Sequence, residues 1–172
     1  FGVRLIREAA ALGMYLDVSH LNDEGLADVF TFHDGPVIAS HSNCRALAGT
    51  MRNLTDDQIR TIAGRGGLLG MNACSTFVGD VERATMTEVE LANHVDRIRE
   101  IAGAQAAGFG FDFCDEMRDF SGPGPFANYD CIKGHANMPL LTEQLLLRGC
   151  SEREIEDILG GNLLRFLRST IG

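Results

Sequence analysis

Pro36-Val37-Ile38-Ala39-Ser40-His41-Ser42-Asn43 passes from a turn residue through a short apolar run into a polar cluster headed by a histidine. Bounded by Gly35-Pro36 on one side and polar residues on the other, the run reads as a short strand buried on both faces. Working outward, the same pattern recurs. Residues 14–18 close in Asp17 and Ser19-His20, residues 68–72 close in Asn72, and the glycine-rich residues 106–111 close in Asp112. A helical pattern precedes each strand. Residues 3–12 space Leu5, Ile6, Ala9, Ala10 and Leu12 along one face, and Asn22 caps a helix over 22–30. Thr55 caps a third, with Asp56 and Asp57 in its first turn, and 88–102 places Leu91, Val95, Ile98 and Ile101 inward. Ser151 opens the last clear helix, and 162–167 continues as a short apolar one. Helix and strand alternating four times imply an α/β protein with a parallel sheet covered by its crossover helices. Ligands in such folds bind at the carboxyl ends of the strands. His20, His41, Asn72 and Asp112 all fall on that rim.

The 172 residues fit one domain spanning 1–172. With 15 Lys+Arg against 24 Asp+Glu the formal charge is -9, and the basic residues do not cluster, so no nucleic-acid partner is expected. Five cysteines without a C-x-x-C pair argue against a disulfide framework or a cysteine-based zinc knuckle, and a reducing, cytoplasmic setting fits. No membrane segment is expected, because no run approaches the roughly 18 apolar residues a spanning helix needs. The chain begins with Phe1 rather than Met, as a piece of a longer product would.

Imidazole is the commonest protein ligand for zinc, and histidines ending neighbouring parallel strands come close enough to share an ion. A lone histidine after a strand is more often a hydrogen-bonded structural residue; two at equivalent strand ends, His20 and His41, reverse that balance. Asp112 lies in Gly108-Phe109-Gly110-Phe111-Asp112-Phe113. The glycines allow close backbone approach, and the apolar flanks predict a partly desolvated carboxylate suited to proton transfer, or else a cap for the next element. Arg52 either forks onto a substrate carboxylate or pairs with Asp56 or Asp57. His33 and His94 read as structural, His135 as near the rim without a nameable partner, and Cys114 as a poor nucleophile with no base beside it. The polar, glycine-rich stretch from 112 to about 137 reads as a long functional loop.

The blocks Asp17-Val18-Ser19-His20-Leu21, Pro36 to Asn43, Arg52-Asn53-Leu54-Thr55-Asp56-Asp57, Gly108 to Phe113 and Gly161-Asn162-Leu163-Leu164-Arg165 resemble, in order, the membrane (renal) dipeptidase family of zinc peptidases. The resemblance implies a metal-dependent (β/α)8 TIM barrel of the amidohydrolase type. It implies hydrolysis of a dipeptide substrate by a metal-bridging hydroxide at a two-zinc site. His20 and His41 match ligands of one zinc, Arg52 the residue that binds the substrate's terminal carboxylate, and Asp112 the proton-handling aspartate. The family's first-strand H-x-D pair and its bridging Glu come from its N-terminal half and have no counterpart at a strand end here, so the four strands correspond to the C-terminal half of the barrel. Such a half leaves open sheet edges, which predicts a homo-oligomer or pairing with a missing N-terminal half. Phe113-Cys114-Asp115 stands where the family usually has Phe-Asp-Gly, and Phe111 where it usually has a small residue. The alternatives are a non-catalytic barrel remnant or binding module without metal, and an amidohydrolase-type metal hydrolase acting on a cyclic amide or lactone.

Overall fold

Parallel pairing joins β1 (Leu16–Asp17), β2 (Val37–Ala39), β3 (Leu68–Met71) and β4 (Ala107–Phe109) into one sheet whose spatial order equals the sequence order. The computed structural model describes residues 1–115 and 128–171. Leu16 pairs with Val37, Ile38 with Leu68 and Leu69 with Ala107. Parallel neighbours need long crossovers. These are α2 (Asp23–Phe32), α3 (Asp56–Gly64) and, beyond the single-turn α4 (Ser75–Val78), α5 (Glu88–Ala102), while α1 (Gly2–Ala11) precedes β1. The chain ends in α6 (Met138–Leu147), α7 (Glu152–Glu156) and α8 (Asn162–Ile171). No helix among the described residues is long and apolar enough to cross a membrane.

The helices start where their capping chemistry dictates. Asn22 accepts from Gly25 N, and Thr55 and Ser151 each form a capping box, with Gln58 and Glu154 reaching back. Thr87 with Glu90 makes a third box, which the sequence reading did not single out.

Strand alternation divides the core. Val37, Ala39, Leu69, Met71 and Ala107 point to the helix side and pack with Leu26, Ile59, Ile62, Leu91, Val95 and Ile98. Each large aliphatic side chain buried there contributes about 1.5–3 kcal/mol. Ile38 and Leu68 form a separate cluster with Phe166 of α8. Asn162 anchors that helix by donating from Nδ2 to the Ala104 and Ala107 carbonyls at 2.8 and 2.7 Å, just before and within β4.

Two expectations are corrected. The strands are shorter than the apolar runs, because the ladder ends before the chain turns to present its polar residues. Helix α6 was not anticipated, because Leu140, Leu141, Leu145, Leu146 and Leu147 surround the axis without marking one face; Leu141 and Leu145 are buried, while Leu146 and Leu147 are exposed. Of the expected long loop, residues 116–127 lie outside the described residues. Its near end is tied down, the amides of Cys114 and Asp115 donating to the Asp130 carboxylate at 2.9–3.0 Å.

His94 is structural, as expected, and contributes to the protein's acid sensitivity. Buried in α5, it accepts from Cys44 N at Nδ1 (3.0 Å), leaving Nε2 to donate to the Val78 carbonyl (2.9 Å). Burial pushes its pKa down to about 4 from 6.5. Between those values the unfolded chain takes up a proton that the folded chain refuses, so stability falls with pH, by about 3 kcal/mol at pH 4 for a separation of this size. Urea titrations at pH 7.5 and pH 5 should show most of it, about 2 kcal/mol. His94→Gln should lower stability at both values while flattening the slope between them.

Candidate active site

The carboxyl ends of the four strands bring the predicted residues to one place, and two of them sit in strained backbone. His20 (φ 73°) and Asp112 (φ 53°) are the non-glycine residues with positive φ among those described. L-residues rarely adopt this conformation, and where they do the strain is commonly held at a functional site. Beyond β1 and β2, the rings of His20 and His41 lie 4.9 Å apart between centroids, inclined at 61°. His20 is exposed and its ring makes no hydrogen bond to the described residues; His41 is partly buried. Burial is the main cause that lowers the His41 pKa, with Arg52 and His20 adding to it and Asp112 and Asp17 opposing. The ring is thereby kept in the neutral form that binds metals.

His41 is held by a polar network spanning β1 and β2. Its Nδ1 lies 2.7 Å from Ser40 Oγ, which donates to Asp17 Oδ2 at 2.5 Å. The other Asp17 oxygen accepts from the amides of Ser19 and Ser40 at 3.0 and 3.1 Å. His41 N donates to Ser19 Oγ (3.0 Å), which meets Ser42 Oγ at 3.0 Å, and Arg52 Nη1 approaches Ser42 Oγ at 3.5 Å. None of these partners was anticipated. Their signal was the density of hydroxyls in Ser19-His20 and Ser40-His41-Ser42.

Arg52 reaches the rim from the loop between β2 and α3. Its guanidinium stands 5.5 Å from the Phe77 ring centre, and Nη2 is buried without a hydrogen-bond partner. Asp56 and Asp57 pair instead with Arg97 and Arg60, which removes the ion-pair reading of Arg52. Burial lowers the Arg52 pKa, opposed by the nearby charges of Asp112 and Asp17. A partly desolvated cation with an unpaired N–H, close to two imidazoles, suits an anionic ligand group.

Asp112 accepts from Asn72 Nδ2 at 3.1 Å, while Asn72 is fixed by Asn43 Oδ1 at its amide and by its own Oδ1 accepting from Cys74 N. The expected desolvation of Asp112 is a correction: the residue is exposed. Its aromatic neighbours turn away, Phe109, Phe111 and Phe113 stacking on one another at 5.2 and 5.0 Å, with the His135 ring edge-on to Phe113 at 5.0 Å. Asp112 lies beyond β4, and its left-handed backbone (φ 53°) interrupts the extended run between the flanking phenylalanines. Cys114 is no nucleophile, since burial and Asp130 push its thiol well above the usual range.

In the fourth block Gly110 packs closely, whereas a Cβ on Gly108 would meet Leu68 at ordinary contact distance. A Cβ on Gly110 would overlap the Ser40 carbonyl, and one on Gly70 would do the same. Gly110→Ala should therefore cost about 1–3 kcal/mol in a urea titration, with a parallel loss of metal affinity because Ser40 adjoins His41. Unchanged values for both would mean that this approach is not needed.

Among the described residues no group of three or more His, Cys, Asp or Glu is arranged to hold a metal ion. The two imidazoles fit part of such a set.

Residues 1–171 match the family described as Membrane dipeptidase (Peptidase family M19). The chain belongs to that family. Mouse Dipeptidase 3 is 33% identical over 98% of this chain and 32% of its own length. Among solved structures, a metallo peptidase from Rhodobacter sphaeroides, liganded with a phosphinate mimic of the dipeptide L-Ala-D-Ala, is 29% identical with a TM-score of 0.81. The match covers 98% of this chain and 46% of that one. An amidohydrolase from Pseudomonas aeruginosa is 27% identical with a TM-score of 0.85, covering 98% of this chain and 56% of that one. The chain thus spans about half the length of these solved structures and about a third of mouse Dipeptidase 3.

Proposed function

We propose that this chain supplies the metal- and substrate-binding rim of a zinc-dependent dipeptidase, as the C-terminal half of a (β/α)8 barrel. The observation that carries the reading is the meeting of two imidazoles, a partly buried guanidinium with one unpaired nitrogen and an aspartate beyond the ends of parallel strands. In this reading His20 and His41 hold one zinc, with the remaining donors coming from beyond the described residues. When bound, zinc supplies polarisation of the scissile carbonyl and an acidified water. Arg52 forks onto the dipeptide's terminal carboxylate and sets the register of the peptide bond along the rim. Asp112, held by Asn72, stands exposed where it can pass a proton to the leaving amine.

The partly desolvated, incompletely paired charge of Arg52 favours a substrate with a free carboxylate over a cyclic amide or lactone, which carries no anionic group to neutralise it. The phosphinate ligand of the Rhodobacter relative mimics L-Ala-D-Ala, and short dipeptides with either configuration at the leaving residue are the substrates to try. The open edges of β1 and β4 favour docking of a second half, from the same protein or another copy. The test measures zinc content and dipeptide hydrolysis of the full protein, with and without His20→Ala plus His41→Ala. Loss of both properties in the double variant supports the proposal; retention of both removes it.

A further inference from the structure

We propose that Asp17 and Ser40 are positioning residues that fix His41 as its Nδ1–H tautomer and so aim the lone pair of Nε2 at the metal. The inference rests on the reading of His41 as a metal ligand and adds how the chain prepares that ligand. The argument is a count of protons. A serine hydroxyl has one proton to give, while a carboxylate can only accept. Ser40 Oγ lies 2.5 Å from Asp17 Oδ2 and 2.7 Å from His41 Nδ1. Asp17 Oδ1 already accepts two amides, from Ser19 and Ser40, which leaves Oδ2 facing the hydroxyl. If the hydroxyl proton turned to the imidazole, two unprotonated oxygens would face each other at 2.5 Å. If Nδ1 carried no proton while the hydroxyl stayed on Asp17, two lone pairs would face each other at 2.7 Å. The arrangement that satisfies every atom has Ser40 donating to Asp17 and His41 Nδ1–H donating to Ser40.

The consequence reaches across the sheet. Neutral imidazole in water prefers the Nε2–H form, which would block the nitrogen farther from the backbone. The relay reverses that preference, and the carboxylate behind it makes the ring a better donor, as a hydrogen-bonded partner does for a ligating histidine generally. Asp17 belongs to β1, the strand that leads to His20, and Ser40 follows β2, next to His41. The same bonds therefore tie together the two strand ends whose separation sets the distance between the imidazoles.

The test reads the tautomer directly, in metal-free full protein labelled with 15N-histidine, by long-range proton–nitrogen correlation at a pH where His41 is neutral. Zinc affinity is measured alongside, by competition with a chromophoric chelator. Wild type should show Nδ1–H at His41. Ser40→Ala should shift the ring toward Nε2–H and weaken zinc binding by about 10–100-fold, and Asp17→Ala should act in the same direction. Ser40→Thr, which keeps the hydroxyl, should restore both. A wild-type His41 in the Nε2–H form overturns the inference without any variant. It also falls if Ser40→Ala folds and leaves tautomer and affinity unchanged while His41→Ala weakens zinc. If His41→Ala itself binds zinc like wild type, the reading of His41 as a ligand fails, and this inference with it.

Discussion

Asp112→Asn should lower kcat for dipeptide hydrolysis in the full protein by about 10²–10⁴-fold, the usual contribution of a positioned acid–base group. Thermal stability should hardly move. The substitution preserves shape, and the amide oxygen can still accept from Asn72 Nδ2, but it cannot carry a proton. Asparagine also tolerates the left-handed backbone of this position (φ 53°) better than most residues, so the fold is not under test. Steady-state kinetics beside a thermal melt separates the outcomes. A kcat within a few-fold of wild type would show that the proton travels by another group.

Arg52→Met should produce the opposite signs in activity and stability. Removing a guanidinium that grips a substrate carboxylate in a desolvated site costs about 2–5 kcal/mol of binding, or roughly 30- to several-thousand-fold in kcat/KM. The loss should appear chiefly in KM. Arg52→Lys keeps the charge but not the fork and should fall between. Because Nη2 is buried without a partner in the free protein, Met should leave the melting temperature unchanged or raise it. Dipeptide amides, which lack the terminal carboxylate, make the control: wild type and variant should hydrolyse them equally poorly. A variant with wild-type KM for free dipeptides would remove Arg52 from substrate binding.

The site was partly legible because strand ends are marked locally. His41 follows an apolar run and a turn to polar residues, and this is visible without knowing what lies beside it. The same logic placed His20, Asn72 and Asp112 on a common rim. It failed for the environment of Asp112. Phe111 and Phe113 adjoin the aspartate in the chain yet stack on each other across it, and the left-handed backbone at Asp112 leaves that residue exposed, so sequence proximity suggests a burial that does not occur. It also failed for α6, where leucines on all sides leave no periodic face to detect.

What the amino-acid sequence determined by itself was the alternation of helix and parallel strand, the helix starts at Asn22, Thr55 and Ser151, and which residue types stand at the strand ends. Apolar periodicity and capping act over a few residues. Only the tertiary structure decided that Asp17 meets Ser40 across 23 residues and that Asn72 holds Asp112 across 40. It also decided that Arg52 keeps one nitrogen buried and unpaired. Those partnerships depend on strand register and on the angle at which each loop leaves the sheet, and these are set by packing between elements distant in the chain.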